Sequence, residues 1–93
     1  MIKSFKCKET EKLFWGRSSK KFPAVIAIRS KIKLDMLDAA QEKQDLRIPP
    51  ANHLEELKGN YQGYMSIRIN DQFRIVFRFD GKDAHDVHIR DYH

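Results

Sequence analysis

The feature that most constrains this chain is the alternation in its last third, Met65 to His93. Three short runs there place apolar residues at every second position, the period of a strand with one buried face. Met65, Ile67 and Ile69 form one apolar row, with Ser66, Arg68 and Asn70 opposite. Phe73, Ile75, Phe77 and Phe79 form the next, with Arg74, Val76 and Arg78 on the reverse side. In the last run Val87 and Ile89 point one way, and His88, Arg90 and Tyr92 the other. A slip of one residue would turn a whole apolar row out to water, so a hairpin around Asn70-Asp71-Gln72 needs an odd number of loop residues. Ile69 and Phe73 then become neighbours, and Arg68 faces Arg74. Like charges directly opposite each other cost a few tenths to about 1 kcal/mol. An anion such as a phosphate between the two arginines would explain the pair, and a solvated basic sheet face is the plainer alternative. The third run, joined through Asp80-Gly81, can bring His88 or Arg90 beside Arg74.

Composition sets the outer bounds. A chain of 93 residues is enough for a single core and one domain, 1–93. A net charge of +5 and a pI near 9.5 favour a polyanionic partner, nucleic acid first, then an acidic protein or membrane surface. No apolar run approaches the roughly 18 residues of a membrane span, and Met1-Ile2-Lys3-Ser4-Phe5 lacks the long apolar segment of a signal peptide. One cysteine, Cys7, excludes an internal disulfide and a thiolate zinc cluster. A reducing cytoplasm is the expected location.

Before the meander the chain reads as strand, helix, helix. Ile2 to Lys6 is a candidate first strand. Glu9 to Trp15 reads as a short helix stopped at Gly16. Arg17 to Lys21 is a polar, basic connector. After Pro23, Val25, Ile28, Ile32, Met36 and Ala39 recur at three- and four-residue steps, the stripe of an amphipathic helix covering the sheet. Asp45 to Tyr64 is loop-rich: Pro49-Pro50 stops any helix, Leu54 and Leu57 are spaced to dock one helical turn, and Gly59 and Gly63 allow a turn into the sheet. The expected architecture is α+β, an antiparallel meander with a first strand added and helices on one face.

Several chemistries fail on spacing. His85 and His88, three apart in a regular strand, project to opposite faces, and no close Cys or Glu completes a metal set. No glycine-rich phosphate loop is present, and Cys7 has no neighbouring base. The residues left are Arg68, Arg74, Lys58, the closing Asp91-Tyr92-His93, and His53. Such a set suits cleavage of RNA through its own 2′-hydroxyl. That reaction needs a base, cationic donors for the charge growing on the phosphorane, and an acid for the leaving 5′ oxygen, with neither metal nor cofactor. His serves as acid or base near neutral pH, and Tyr92 can stack on a splayed base. A frayed polar tail is the competing reading of the last three residues.

Over essentially its whole length the chain resembles HigB-type toxins of the RelE superfamily, the plasmid-maintenance killer proteins. The resemblance is carried by Met1-Ile2-Lys3-Ser4-Phe5, Leu37-Asp38-Ala39-Ala40 and Pro49-Pro50-Ala51-Asn52-His53-Leu54-Glu55. Leu57-Lys58-Gly59, Ser66 to Ile75 and Asp91-Tyr92-His93 complete it. It implies a RelE-like α+β fold and a ribosome-dependent endoribonuclease that cuts mRNA. It also implies a HigA-type helix-turn-helix antitoxin in a multimeric complex with an otherwise monomeric toxin. By position, the family's sheet arginine falls on Arg74, its loop lysine on Lys58 and its terminal residues on Asp91, Tyr92 and His93. A loop histidine used by some members falls at Glu55, with His53 two positions earlier, so the acid–base assignment stays open. Asp91 and His93 are the expected proton-transfer pair, Arg74 and Arg68 the phosphate clamp, Lys58 and Tyr92 supporting contacts. Arg90, Lys20 and Lys21 are expected on RNA phosphates, with Lys20, Lys21, Arg29 and Lys31 facing ribosomal RNA. A non-catalytic RNA-binding module of the same fold, or a module that grips an acidic partner, are the rival readings.

Overall fold

The structure is a computed structural model, and it describes residues 1–91. Two helices, α1 (Lys8–Phe14) and α2 (Ala24–Ala39), precede a four-stranded antiparallel sheet of β1 (Glu55–Glu56), β2 (Met65–Arg68), β3 (Phe73–Asp80) and β4 (Asp83–Asp91) in that spatial order. This is the α+β layering expected from the alternation. The register follows the apolar rows: Met65 opposes Phe77, Ile67 opposes Ile75, and Arg68 opposes Arg74. Asn70-Asp71-Gln72 closes the hairpin, with the Ile69 N–H donating to the Phe73 carbonyl at 3.0 Å. Across the next pair Ile75 faces Ile89, and Arg74 faces Arg90.

One irregularity re-aims β4. Val76 pairs with His88 and Arg78 with His85, so Asp86 and Val87 together oppose the single residue Phe77. Asp86 adopts φ 55°, and its carboxylate takes the Arg78 guanidinium at 2.9–3.0 Å. A bulge of this kind adds one residue to one strand and shifts the alternation beyond it. Ala84 and Val87, an odd number apart, consequently both face the core. The same shift puts His85 and His88 on one face, which corrects the expectation that they project to opposite faces.

Residues 2–5 join the outer edge of β4 through two parallel bridges, Ile2 with Ala84 and Phe5 with Val87, so the first strand is present only in this interrupted form. Ser4 Oγ accepts from the Asp86 N–H in the gap. Ile69, Ile75, Phe77, Val87 and Ile89 meet Leu13, Ile26, Leu34 and Leu37 of the helices in one core. The buried Thr10 hydroxyl of α1 takes the Ile89 N–H at 3.1 Å. Asp38 of α2 accepts from the Ile2 N–H at 2.8 Å, tying the helix end to the first segment.

Two further sequence expectations are corrected. The stripe that α2 buries is Ile26, Ser30, Leu34 and Leu37. Val25, Ile28 and Ile32 of the expected stripe are 65%, 64% and 52% exposed. The helix is apolar on nearly all sides, and the true stripe is interrupted by Ser30, whose fully buried hydroxyl has no hydrogen-bond partner among the described residues. The second correction concerns Leu54 and Leu57. The chain between them is extended, and Glu55–Glu56 adds an edge strand to β2. Short 3-10 turns at Lys43–Arg47, Pro50–Asn52 and Gly59–Tyr61 build the rest of that loop.

Candidate functional site

The helix-free face of the sheet carries the polar row, and the loop from Leu46 to Tyr64 lies against part of it. Under that loop polar groups are buried: Ser66 is 0% exposed and Arg74 only 5%. A guanidinium so far from water keeps its charge only if its N–H groups are satisfied. Arg74 Nε donates to Ser66 Oγ at 2.8 Å on the neighbouring strand. Its NH2 donates to the carbonyl of His53, and its NH1 lies 3.8 Å from the Glu55 carboxylate. The loop carbonyl is presented because His53 ends a 3-10 turn in the left-handed region, φ 44°. Asn52, fully buried, fixes that turn from below through Nδ2 to the carbonyls of Leu46 and Ile48.

The result is an open cavity of about 300 Å³ lined by His53, Glu55, Arg68, Asn70, Asp71 and Arg74. His53, Arg68 and Arg74, predicted from separate stretches, are brought together here. The two facing arginines do not confront each other unrelieved. Arg68 turns outward to Asp71, while Arg74 turns inward to Ser66 and the loop. Opposite charge and hydrogen bonding stabilise each guanidinium separately, leaving two cations on one wall.

Other predicted residues lie elsewhere. Lys58 lines a different cavity of about 580 Å³ with Lys43, Glu56 and Tyr64. Asp91 closes β4 opposite Phe73 and accepts from Gln72 Nε2 at 3.0 Å. Arg90, paired with Arg74, stacks its guanidinium 4.2 Å from the centre of the Tyr61 ring. Lys20 is exposed in the connector, and Lys21 lies over Phe22, which meets Phe73 edge-on. Tyr92 and His93 fall outside the described residues. Among the described residues no three His, Cys, Asp or Glu side chains gather around a common point, and no helix is long and apolar enough to cross a membrane.

Sequence reasoning missed an aromatic row beside these cations. Tyr61 packs edge-on to Tyr64, Tyr64 edge-on to His88, and Lys6 sits over Tyr64 at 5.8 Å. Burial, and then the nearby charges of Lys6 and Arg90, push the His88 imidazole below its ordinary pKa. Glu55, where the resemblance places a loop histidine of some members, lines the cavity together with His53. Tyrosines in an irregular loop have no periodicity to advertise them. Only the loop's path over the sheet brings Tyr61 to Arg90.

The fold superposes on YafQ from Escherichia coli with a TM-score of 0.65 at 13% identity, covering 99% of this chain and 92% of that one. It superposes on one chain of the heterotetrameric YoeB–YefM toxin–antitoxin complex from Staphylococcus aureus with a TM-score of 0.63 at 22% identity, covering 100% of this chain and 95% of that one.

Residues 3–93 match the family described as the RelE-like toxin of the type II toxin–antitoxin system HigB, and the chain belongs to that family. It is 37% identical over 93 residues to the endoribonuclease HigB of Proteus vulgaris, spanning 100% of both chains. It is 55% identical to toxin HigB-1 of Vibrio cholerae over 47 residues, 50% of each chain.

Proposed function

We propose that this toxin is a metal-independent endoribonuclease that cuts mRNA on the ribosome by attack of a 2′-hydroxyl on the adjacent phosphodiester, and so inhibits translation. The observation that carries the reading is Arg74. It is a nearly buried cation, braced by Ser66 and the His53 carbonyl, on the wall of a cavity that also holds Arg68. Donors fixed before the reaction stabilise charge that develops in the transition state without reorganising, the largest single contribution in most active sites. Arg74 and Arg68 take the phosphorane oxygens. A base removes the 2′-hydroxyl proton and an acid protonates the leaving 5′ oxygen.

Asp91 and His93 are the proposed proton-transfer pair, with Tyr92 on a base and Lys58 on the flanking strand. His53 and Glu55, both at the mouth of the cavity, are the alternative acid and base. Arg90 on Tyr61 offers a stacking platform for an unpaired base. Lys20 and Lys21 extend the cationic surface toward the connector. One domain, 1–93, carries these roles in the cytoplasm. The partner that restrains the activity is a HigA-type helix-turn-helix antitoxin, and the active toxin is a monomer.

Primer extension on mRNA, naked or on programmed ribosomes, tests the reading. New breaks at codon-spaced positions only with ribosomes are expected. Breaks in naked RNA would remove the ribosome from the mechanism, and RNA binding without breaks would leave a non-catalytic module.

A further inference from the structure

Beyond the cavity of Arg74, the hairpin end of the sheet and α2 enclose a second groove, of about 440 Å³, lined by Arg29, Ile32, Lys33, Ala51, Arg68, Ile69 and Asn70. We propose that this groove is a subsite for a substrate phosphate adjacent to the scissile one. The inference rests on the nuclease reading above.

Three observations carry it. Arg29 and Lys33 stand one helical turn apart on α2, a spacing at which like charges destabilise a helix. Neither has a carboxylate within ion-pair distance among the described residues. Lys33 is also aimed. Its Nζ donates to Oδ1 of Asn52, the same buried side chain that pins the turn presenting His53. An ammonium has three donors, and a neutral amide satisfies one of them. Burial, and then the charge of Arg29, push the Lys33 amine below its ordinary range, the condition that a bound anion relieves. Arg68, finally, lines both this groove and the cavity of Arg74, so the two share a wall and one strand can run through both. The groove therefore holds a phosphodiester by charge and shape, with no base contact.

The test is equilibrium binding of a short RNA made uncleavable by a 2′-deoxy nucleotide at the cut, across a range of salt. Wild type is compared with Arg29→Gln and Lys33→Gln, and circular dichroism melts confirm folding. Arg29→Gln leaves the Asn52 contact intact and keeps the test valid if Lys33→Gln unfolds. Loss of one neutralised phosphate lowers the log–log salt slope by about 0.7, with roughly tenfold weaker binding. An RNA carrying a methylphosphonate at the occupied position should bind wild type and variants alike. Equal slopes in wild type and variants overturn the subsite. So does a variant defect that persists undiminished on every methylphosphonate RNA, which would move these cations to another RNA, or displacement by polyglutamate as readily as by RNA. Failed cleavage with this binding pattern intact would strike the nuclease reading and leave the subsite standing.

Discussion

The two faces of the sheet obey the same two-residue period and are built by opposite means. On the helix side Ile67, Ile75, Phe77 and Val87 are fully buried, and packing needs only apolar volume. On the other side Ser66 and Arg74 are almost as inaccessible, yet each polar atom there had to find a partner. Covering a sheet with a helix yields a core. Covering it with an irregular loop, whose carbonyls and carboxylates are not spent on secondary structure, yields a site whose cation is held in place before any ligand arrives. The difference teaches that Arg74 is a constructed group, in contrast with exposed Arg78 on the same strand, which only locks the bulge.

Substitutions that act on one face and spare the other sharpen this contrast. Phe77→Ala, which empties the core side, should cost about 3–5 kcal/mol, read as a urea midpoint. A loss below 1 kcal/mol would mean the helix layer is not what holds the sheet. Arg74→Lys keeps the charge but loses the planar fork that reaches Ser66 and His53 together. Cleavage should fall about 10²- to 10³-fold with a smaller loss of stability, and unchanged cleavage would dismiss Arg74 as the clamp.

On the same face the pH response has a definite sign. Folding lowers the His88 pKa, so the unfolded chain binds more protons between that lowered value and about 6.5. The contribution of neutral His88 is present above that window and is lost as pH falls through it. His88→Gln should flatten the difference in urea midpoint between pH 8 and pH 5, and an unaltered pH dependence would refute it.

Tyr61→Leu removes the partner of Arg90 and should cost about 0.5–1 kcal/mol in RNA affinity or stability, measured by anisotropy and thermal melting. Smallest of all, Ile28→Gln on the uncovered side of α2 should stay within about 0.5 kcal/mol of wild type. A loss of 2 kcal/mol or more would restore Ile28 to the core.

Strand register was legible because it is local. Alternation fixes parity, parity fixes the hairpin, and the facing of Arg68 and Arg74 follows from Met65 to Phe79 alone. Pro23 and Gly16 likewise marked helix ends from chemistry within a few residues. The buried side of α2 was not legible, because a helix apolar nearly all round offers two stripes and only contact with the sheet selects the one containing Ser30. The bulge at Asp86, which gathers His85 and His88 on one face, has no periodic trace either. Nor has the path of the Leu46–Tyr64 loop, which brings His53 and Glu55 to Arg74, takes Lys58 to another cavity, and links Lys33 to the same turn through Asn52. Periodicity records which side of an element meets water. Which residues from distant stretches share a cavity depends on long-range contacts, and those exist only once the chain has closed on itself.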